Sequence, residues 1–197
     1  MKVMVVDNII IDHSWLSSRV LDNEKKILRK YPPTCFTKGK VSDGGTGLGI
    51  NSLTSRFYHF NVLSWFGTKK LKKFIKNGYN RYNNVSNQPI FVQCWANVMR
   101  KGDKIKSHVH VPYPIDPIHS LSGNLCVKVD GSTNTYYDGT PILNKTNQMV
   151  FFPSSTSHWT DRYMNDSERI TIAFDIRSKY WFDFDLHEDA KKHWIKL

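Results

Sequence analysis

Three histidines and one arginine in the second half of the chain have the types and the spacing for metal-dependent chemistry. His108 and His110 are separated by one residue in Ser107-His108-Val109-His110. Alternate residues of an extended segment project to one face, so both imidazoles can reach a single metal ion. About fifty residues on, the apolar run ending in Phe151-Phe152-Pro153 enters a Ser/Thr turn and delivers His158, where a third ligand would close the site. Pairs of this spacing also arise by chance, and a hydrogen-bonded core histidine is the alternative reading of His158. The stretch Glu168 to Ile176 then alternates, with Ile170, Ile172, Phe174 and Ile176 on one face and Arg169, Thr171, Ala173 and Asp175 on the other. On an isolated half-buried strand the polar face would look at water. Arg169, however, follows His158 by eleven residues, enough for a loop and a return along the neighbouring strand. Its planar fork can hold a carboxylate beside the metal, with Thr171 adding a hydroxyl.

The elements that must position these groups change character halfway along the chain. Leu16, Val20, Leu21, Ile27 and Leu28 recur with helical spacing, Ser14 is a possible N-cap, and Pro32-Pro33 stops the element, which predicts a first helix. Five glycines between Thr37 and Asn51 predict a turned loop; without the Lys-Ser/Thr of a phosphate-binding loop it is weak evidence for a nucleotide. A second, amphipathic helix is predicted from Thr68, with Leu71, Phe74 and Ile75 on one face, the lysines on the other, and Gly78 ending it. From Gln88 onward β-branched and aromatic residues dominate, and Ile90–Met99, Asn124–Val129, Met149–Phe152 and Arg169–Ile176 read as strands. Helices followed by many short strands predict a single α+β domain, mostly β, whose sheet part is a jelly roll or barrel. We divide it into a helical and loop prefix (1–88), a β core (89–180) and a C-terminal extension (181–197).

Composition narrows the function classes. Of 197 residues, 40% are hydrophobic and 13% aromatic, which excludes a disordered chain. No apolar run approaches the ~20 residues of a membrane helix, and the first residues lack a signal-peptide cleavage site. Cys35, Cys94 and Cys126 are too few and too scattered for a disulfide framework, which suggests a reducing, cytoplasmic setting. The net charge of +11 is uneven: residues 1–90 carry 15 basic against 5 acidic side chains, residues 91–197 carry 13 against 12. Much of the surplus is Lys69, Lys70, Lys72, Lys73 and Lys76, the solvated face of the second helix, although an anionic partner could use it.

The residues also carry a resemblance. Trp95-x-Asn97, Gly102, His108-x-His110, Leu121-Ser122-Gly123, Phe152-Pro153-Ser154 with His158, and Arg169-Ile170-Thr171 together resemble the 2-oxoglutarate/Fe(II)-dependent oxygenases, and more narrowly a bacterial and phage group of them. Upstream, a helix, a Ser42-Asp43-Gly44-Gly45 loop and a further helix match that group's layout. The resemblance implies a double-stranded β-helix (jelly roll) with the N-terminal helices packed on it. It implies Fe(II) held by His108, the residue at 110 and His158. It also implies 2-oxoglutarate held through its far carboxylate by Arg169 with Thr171, and it makes Asn97 and Ser122 looser candidates for cosubstrate or supporting contacts. The implied activity is oxidative decarboxylation of 2-oxoglutarate coupled to oxidation, by default hydroxylation, of a peptide, small molecule or nucleobase. Trp95, Tyr113 and Trp159 could shape the substrate pocket.

One position departs from the superfamily pattern, because residue 110 is a histidine where a carboxylate is usual. Three neutral imidazoles leave Fe(II) its full charge, which favours a dianionic cosubstrate. Asp116, in Pro112-Tyr113-Pro114-Ile115-Asp116-Pro117, could act as an extra ligand or replace His110 as one, orient an imidazole, or simply face solvent. Two other readings stay open. A cupin-type metal enzyme would use the same histidines without 2-oxoglutarate and would leave Arg169 idle. A basic nucleic-acid or protein binding module would need no metal at all.

Overall fold

The computed structural model describes residues 2–33, 35–37, 40–42, 45–186 and 188–197. Asp43 and Gly44 of the predicted loop, with Gly39, lie outside them, as does the side chain of Cys35. In chain order the elements are β1 (Met4–Val6), α1 (His13–Lys30), β2 (Cys35–Thr37), β3 (Lys40–Ser42), two short 3-10 turns, and α2 (Lys69–Asn83). Then follow β4 (Ile90–Met99), β5 (Ser120–Lys128), β6 (Asn134–Tyr137), β7 (Thr140–Leu143), β8 (Met149–Pro153), β9 (His158–Thr160) and β10 (Arg169–Ser178). The chain closes with α3 (Lys179–Asp185), α4 (Glu188–Lys191) and β11 (Ile195–Lys196).

The strands form a jelly roll. A six-stranded antiparallel sheet has the order β1-β8-β5-β10-β4-β11, and a three-stranded sheet has the order β7-β6-β9. The strand that carries Arg169, β10, lies between β4 and β5 and is buried along its whole length. The alternation read from the sequence therefore has two buried faces. Ile170, Ile172, Phe174 and Ile176 join one apolar core with Leu16, Val20 and Ile27 of α1 and Leu71, Ile75 and Tyr79 of α2. Burying each such aliphatic side chain contributes roughly 1.5–3 kcal/mol, which holds the two helices on this side of the sheet. The odd-numbered residues of β10 look the other way, into the interior of the roll.

Both helices differ from expectation at their ends. The cap of α1 is Asp12, whose carboxylate accepts from the Trp15 amide at 2.8 Å, and Ser14 is already inside the helix. Gly78 does not end α2, which runs on to a left-handed cap at Asn84. Its role is close approach: a Cβ there would come within 1.9 Å of the Phe151 ring on β8, so only a glycine lets the helix lie this near the sheet. Thr68 stands at the N-cap position, but its hydroxyl bonds back to the Leu63 and Trp65 carbonyls.

The sequence reading missed β1, β11, the strands of the three-stranded sheet and the β2-β3 pair, whose β3 lies within the stretch expected to be a turned loop. They are two to four residues long, too short for a periodic signal. The first and last of these nevertheless complete the large sheet, β1 beside β8 and β11 beside β4. Cys94 and Cys126 are buried free thiols, and burial pushes Cys126 up to about 11. No helix among the described residues is long and apolar enough to cross a membrane.

Candidate metal centre

Strand register explains which side chains meet inside the roll. Directly opposed residues of an antiparallel pair share a face. Thr171 stands opposite Asn97 of β4, and Ala173 opposite Trp95 and, on β5, Asn124. Asp175 stands opposite Ser122, and Arg177 opposite Ser120. Facing them across the interior are Thr135 of β6 and His158 and Thr160 of β9. Between the sheets lies a cavity of about 680 Å³ lined by all three predicted histidines and by Arg169, Thr171 and Asn97.

The segment carrying His108 and His110 is not the extended strand expected from the sequence: it bends at Ser107 and again at His110 and belongs to no sheet. It is tied to β9 by a single two-bond bridge, His108 N to His158 O at 3.2 Å and His158 N to His108 O at 3.0 Å. The amides of His110 and Val111 both donate to the Ser154 carbonyl, at 2.9 and 3.1 Å. These bonds draw the two histidine-bearing segments together although fifty residues separate them. One nitrogen of each of His108, His110 and His158 lies within 4.8 Å of the others. His158 is held by Phe152, 4.8 Å away between ring centroids, and by the near-parallel ring of Tyr137.

Hydrogen bonds select the nitrogen that points inward. Nδ1 of His108 lies 2.8 Å from the Lys106 carbonyl and Nδ1 of His158 lies 3.0 Å from the Thr156 carbonyl. Nδ1 of His110 lies 2.6 Å from a carboxylate oxygen of Asp175. With each Nδ1 placed to donate, Nε2 is the nitrogen that could bind a metal, its tautomer set by the hydrogen bond on the other ring nitrogen. Burial holds His158 well below its ordinary pKa, helped by its neighbours His110 and His108, so it stays neutral and able to ligate. Burial alone would raise the Asp175 pKa. The neighbouring His110 with its hydrogen bond, the nearby Arg177 and the Ser122 hydroxyl outweigh it and hold the carboxyl ionised.

Asp175 was not singled out in the sequence, although its place on the same alternating face as Arg169 was the signal that could have found it. It changes the charge balance expected of three imidazoles. Position 110 carries no carboxylate, but Asp175 bonds that histidine, so a buried negative charge lies beside the three imidazoles. Asp116 does not supply it: exposed in its loop, it caps a turn by accepting from the Ile118 amide at 3.0 Å. Ser122 does not line the cavity. It lies 3.1 Å from Nδ1 of His110, 2.6 Å from the Asp175 carboxylate and 2.8 Å from Ser154 Oγ.

At one end of the cavity Arg169 is 1% exposed, and its contact is Nη1 to the Met99 sulfur at 3.1 Å. Its Nε is buried with no hydrogen-bond partner, and no carboxylate pairs with it among the described residues. Burial lowers its pKa, but a guanidinium remains charged in a protein. A buried cation with unused donors calls for an anion. Thr171 lines the same end, as does Asn97, whose amide oxygen accepts from Thr54 Oγ1 at 2.5 Å. Ala173, between Thr171 and Asp175 on the same face of β10, also lines the cavity. Trp95, Tyr113 and Trp159 all line the cavity.

No protein-family model matches the chain, and no curated protein matches it in sequence. Solved structures do match in fold. The viral collagen prolyl hydroxylase of Paramecium bursaria Chlorella virus-1, solved with 2-oxoglutarate, is 14% identical, with a TM-score of 0.59 over 90% of this chain and 97% of that one. The epimerase SnoN from nogalamycin biosynthesis, solved with Fe3+, α-ketoglutarate and nogalamycin RO, is 9% identical, with a TM-score of 0.56 over 89% and 78%. HygX from Streptomyces hygroscopicus, solved with nickel and 2-oxoglutarate, is 9% identical, with a TM-score of 0.54 over 90% and 83%. The chain has the jelly-roll fold of the 2-oxoglutarate/Fe(II)-dependent oxygenases.

Proposed function

We propose that the chain is an Fe(II)- and 2-oxoglutarate-dependent oxygenase, with hydroxylation as its outcome. The observation that carries this reading is the pairing, in one cavity, of three imidazole nitrogens within 4.8 Å of one another with a buried arginine that has no paired carboxylate among the described residues. Either feature alone would fit many kinds of protein. Together they match a cosubstrate that chelates a metal at one end and carries a carboxylate at the other. The cupin-type alternative gives Arg169 nothing to bind.

In this reading His108, His110 and His158 hold Fe(II) through Nε2, and Arg169 with Thr171 holds the far carboxylate of 2-oxoglutarate. The bound pair would supply the oxidation, coupling loss of CO2 from 2-oxoglutarate and reduction of O2 to oxidation of a substrate carbon. The protein's own residues bind and orient. Lys106 O, Thr156 O and Asp175 keep the three rings in the ligating tautomer. Asp175 also increases the basicity of His110 and offsets the charge of the metal. Arg169 would orient the cosubstrate, and Phe152 and Tyr137 exclude water from behind His158.

An anaerobic titration of the metal-free protein with Fe(II) and 2-oxoglutarate tests the proposal. The expected result is the visible charge-transfer band of an iron-chelated keto acid, absent with either component alone. A protein that binds no Fe(II), or binds it without developing the band on addition of 2-oxoglutarate, would not be such an oxygenase. Succinate release on admitting air gives the second readout.

A further inference from the structure

Beyond Asp175, β10 carries a second buried guanidinium into the same cavity. Arg177 is 5% exposed. Its Nη1 donates to Ser120 Oγ at 2.6 Å and weakly to the Ile176 carbonyl at 3.3 Å, while its Nε is buried with no partner. The guanidinium lies over the ring of Trp194, 5.6 Å from its centroid, and the Trp194 Nε1 is also buried with no partner. Both residues line the cavity, with Leu186 and Ala190 of the C-terminal segment and Phe57 and Tyr58 beside them. No carboxylate pairs with Arg177 among the described residues, and Asp175, nearest along the strand, is already bonded to His110 and Ser122.

Two buried N–H groups of neighbouring side chains, Arg177 Nε and Trp194 Nε1, have no acceptor, and satisfying them requires oxygen atoms from elsewhere. The cosubstrate cannot be their source if Arg169 holds it. Eight residues of strand put the two arginine Cα atoms roughly 26 Å apart, with the histidine centre between them. We propose that Arg177 and Trp194 form an oxyanion subsite for the substrate, which therefore carries a carboxylate or phosphate group next to an apolar body. The assignment of this ligand as substrate rests on the oxygenase reading; the anion site itself is made by the chain's own residues. Trp194 gives the subsite an N–H and a flat face, and Leu186 and Ala190 supply its apolar wall.

The test is calorimetric titration of 3-phenylpropionate, phenyl phosphate and the uncharged 3-phenylpropanamide into protein held anaerobically with Fe(II) and saturating 2-oxoglutarate. The wild-type protein is expected to bind at least one of the two acids about tenfold or more tightly than the amide, as a charge-assisted bond requires. The acid that binds more tightly identifies carboxylate or phosphate as the natural group. Arg177→Met should erase the preference, Arg177→Lys should keep part of it, and Trp194→Phe, which retains the ring and removes the N–H, should reduce it severalfold. Equal binding of acids and amide by the wild-type protein, no binding of either acid, or an unchanged preference in Arg177→Met overturns the subsite. If Arg177→Met fails to fold, an unchanged preference in both Arg177→Lys and Trp194→Phe does so instead. The visible band of the bound keto acid, recorded on the same samples, reports separately on the oxygenase reading. Its absence would overturn that reading, while the preference for acid over amide, measured without metal, still decides the subsite.

Discussion

The two ends of β10 are built alike and enclosed differently. Each places a buried arginine with an unused Nε on the cavity face of one strand. The Arg169 end is walled by the roll itself, with Met99 and Asn97 of β4 and Thr171 beside it. The Arg177 end is closed by the C-terminal segment, through Leu186, Ala190 and Trp194. A wall made of central strands cannot change without disturbing the sheet core, whereas a short helix and an edge strand can be altered with less effect on the roll. This contrast suits a fixed cosubstrate at the first end and a particular substrate at the second.

The contrast is tested most severely by removing what lies between the two ends. His158→Ala should abolish Fe(II) binding and succinate formation, with the fold retained by circular dichroism, and full metal affinity in that variant would show that the triangle of histidines is not the centre. Arg169→Met should raise the 2-oxoglutarate concentration needed for the visible band by about 100-fold while leaving Fe(II) affinity within a factor of about two. If it instead altered the acid-over-amide preference, the two ends would not be separate. Asp175→Asn keeps the shape and removes the charge, so it should weaken Fe(II) binding by about 10–100-fold, measured by chelator competition, without changing which probe acid binds more tightly. Gly78→Ala, far from both ends, should lower stability by about 1–3 kcal/mol in denaturant unfolding through its clash with Phe151 and leave both ligand preferences intact.

The smallest expected effect is a pH dependence. The folded state holds His158 below its ordinary pKa of 6.5, so the unfolded chain takes up that proton first as the solution is acidified. Stability of the metal-free protein should therefore fall as pH drops through about 6.5 and continue to fall until the folded His158 itself protonates. His158→Gln should remove that part of the slope, read as the denaturation midpoint between about pH 7.5 and pH 5.5. An identical slope in both proteins would place the titration elsewhere.

Much of this was legible in the residues. The strand Ile90–Met99 ends where the structure ends it, and three of the four predicted strands lie within one or two residues of their observed bounds; β5 begins four residues early, at Ser120. Its polar Ser-Leu-Ser-Gly start hides a strand whose serines face inward to Asp175 and Arg177. The histidine triad and Arg169 could be named because each rests on local geometry: a two-residue repeat, a turn after a strand, an offset of eleven residues. Asp116 could not be resolved locally, since a loop carboxylate reads the same whether it binds metal or caps a turn.

That β10 has two faces, and which residues share each, was fixed by the order of its residues, because alternation is a property of the backbone and needs no partner. Folding in three dimensions was needed to turn the polar face toward a cavity rather than water. Only there does Asp175 bond His110, and only there does Trp194, far along the chain, come to lie beside Arg177. Those outcomes depend on the register between strands distant in the chain and on the path of the last residues, and both are set by how the whole apolar surface is buried at once.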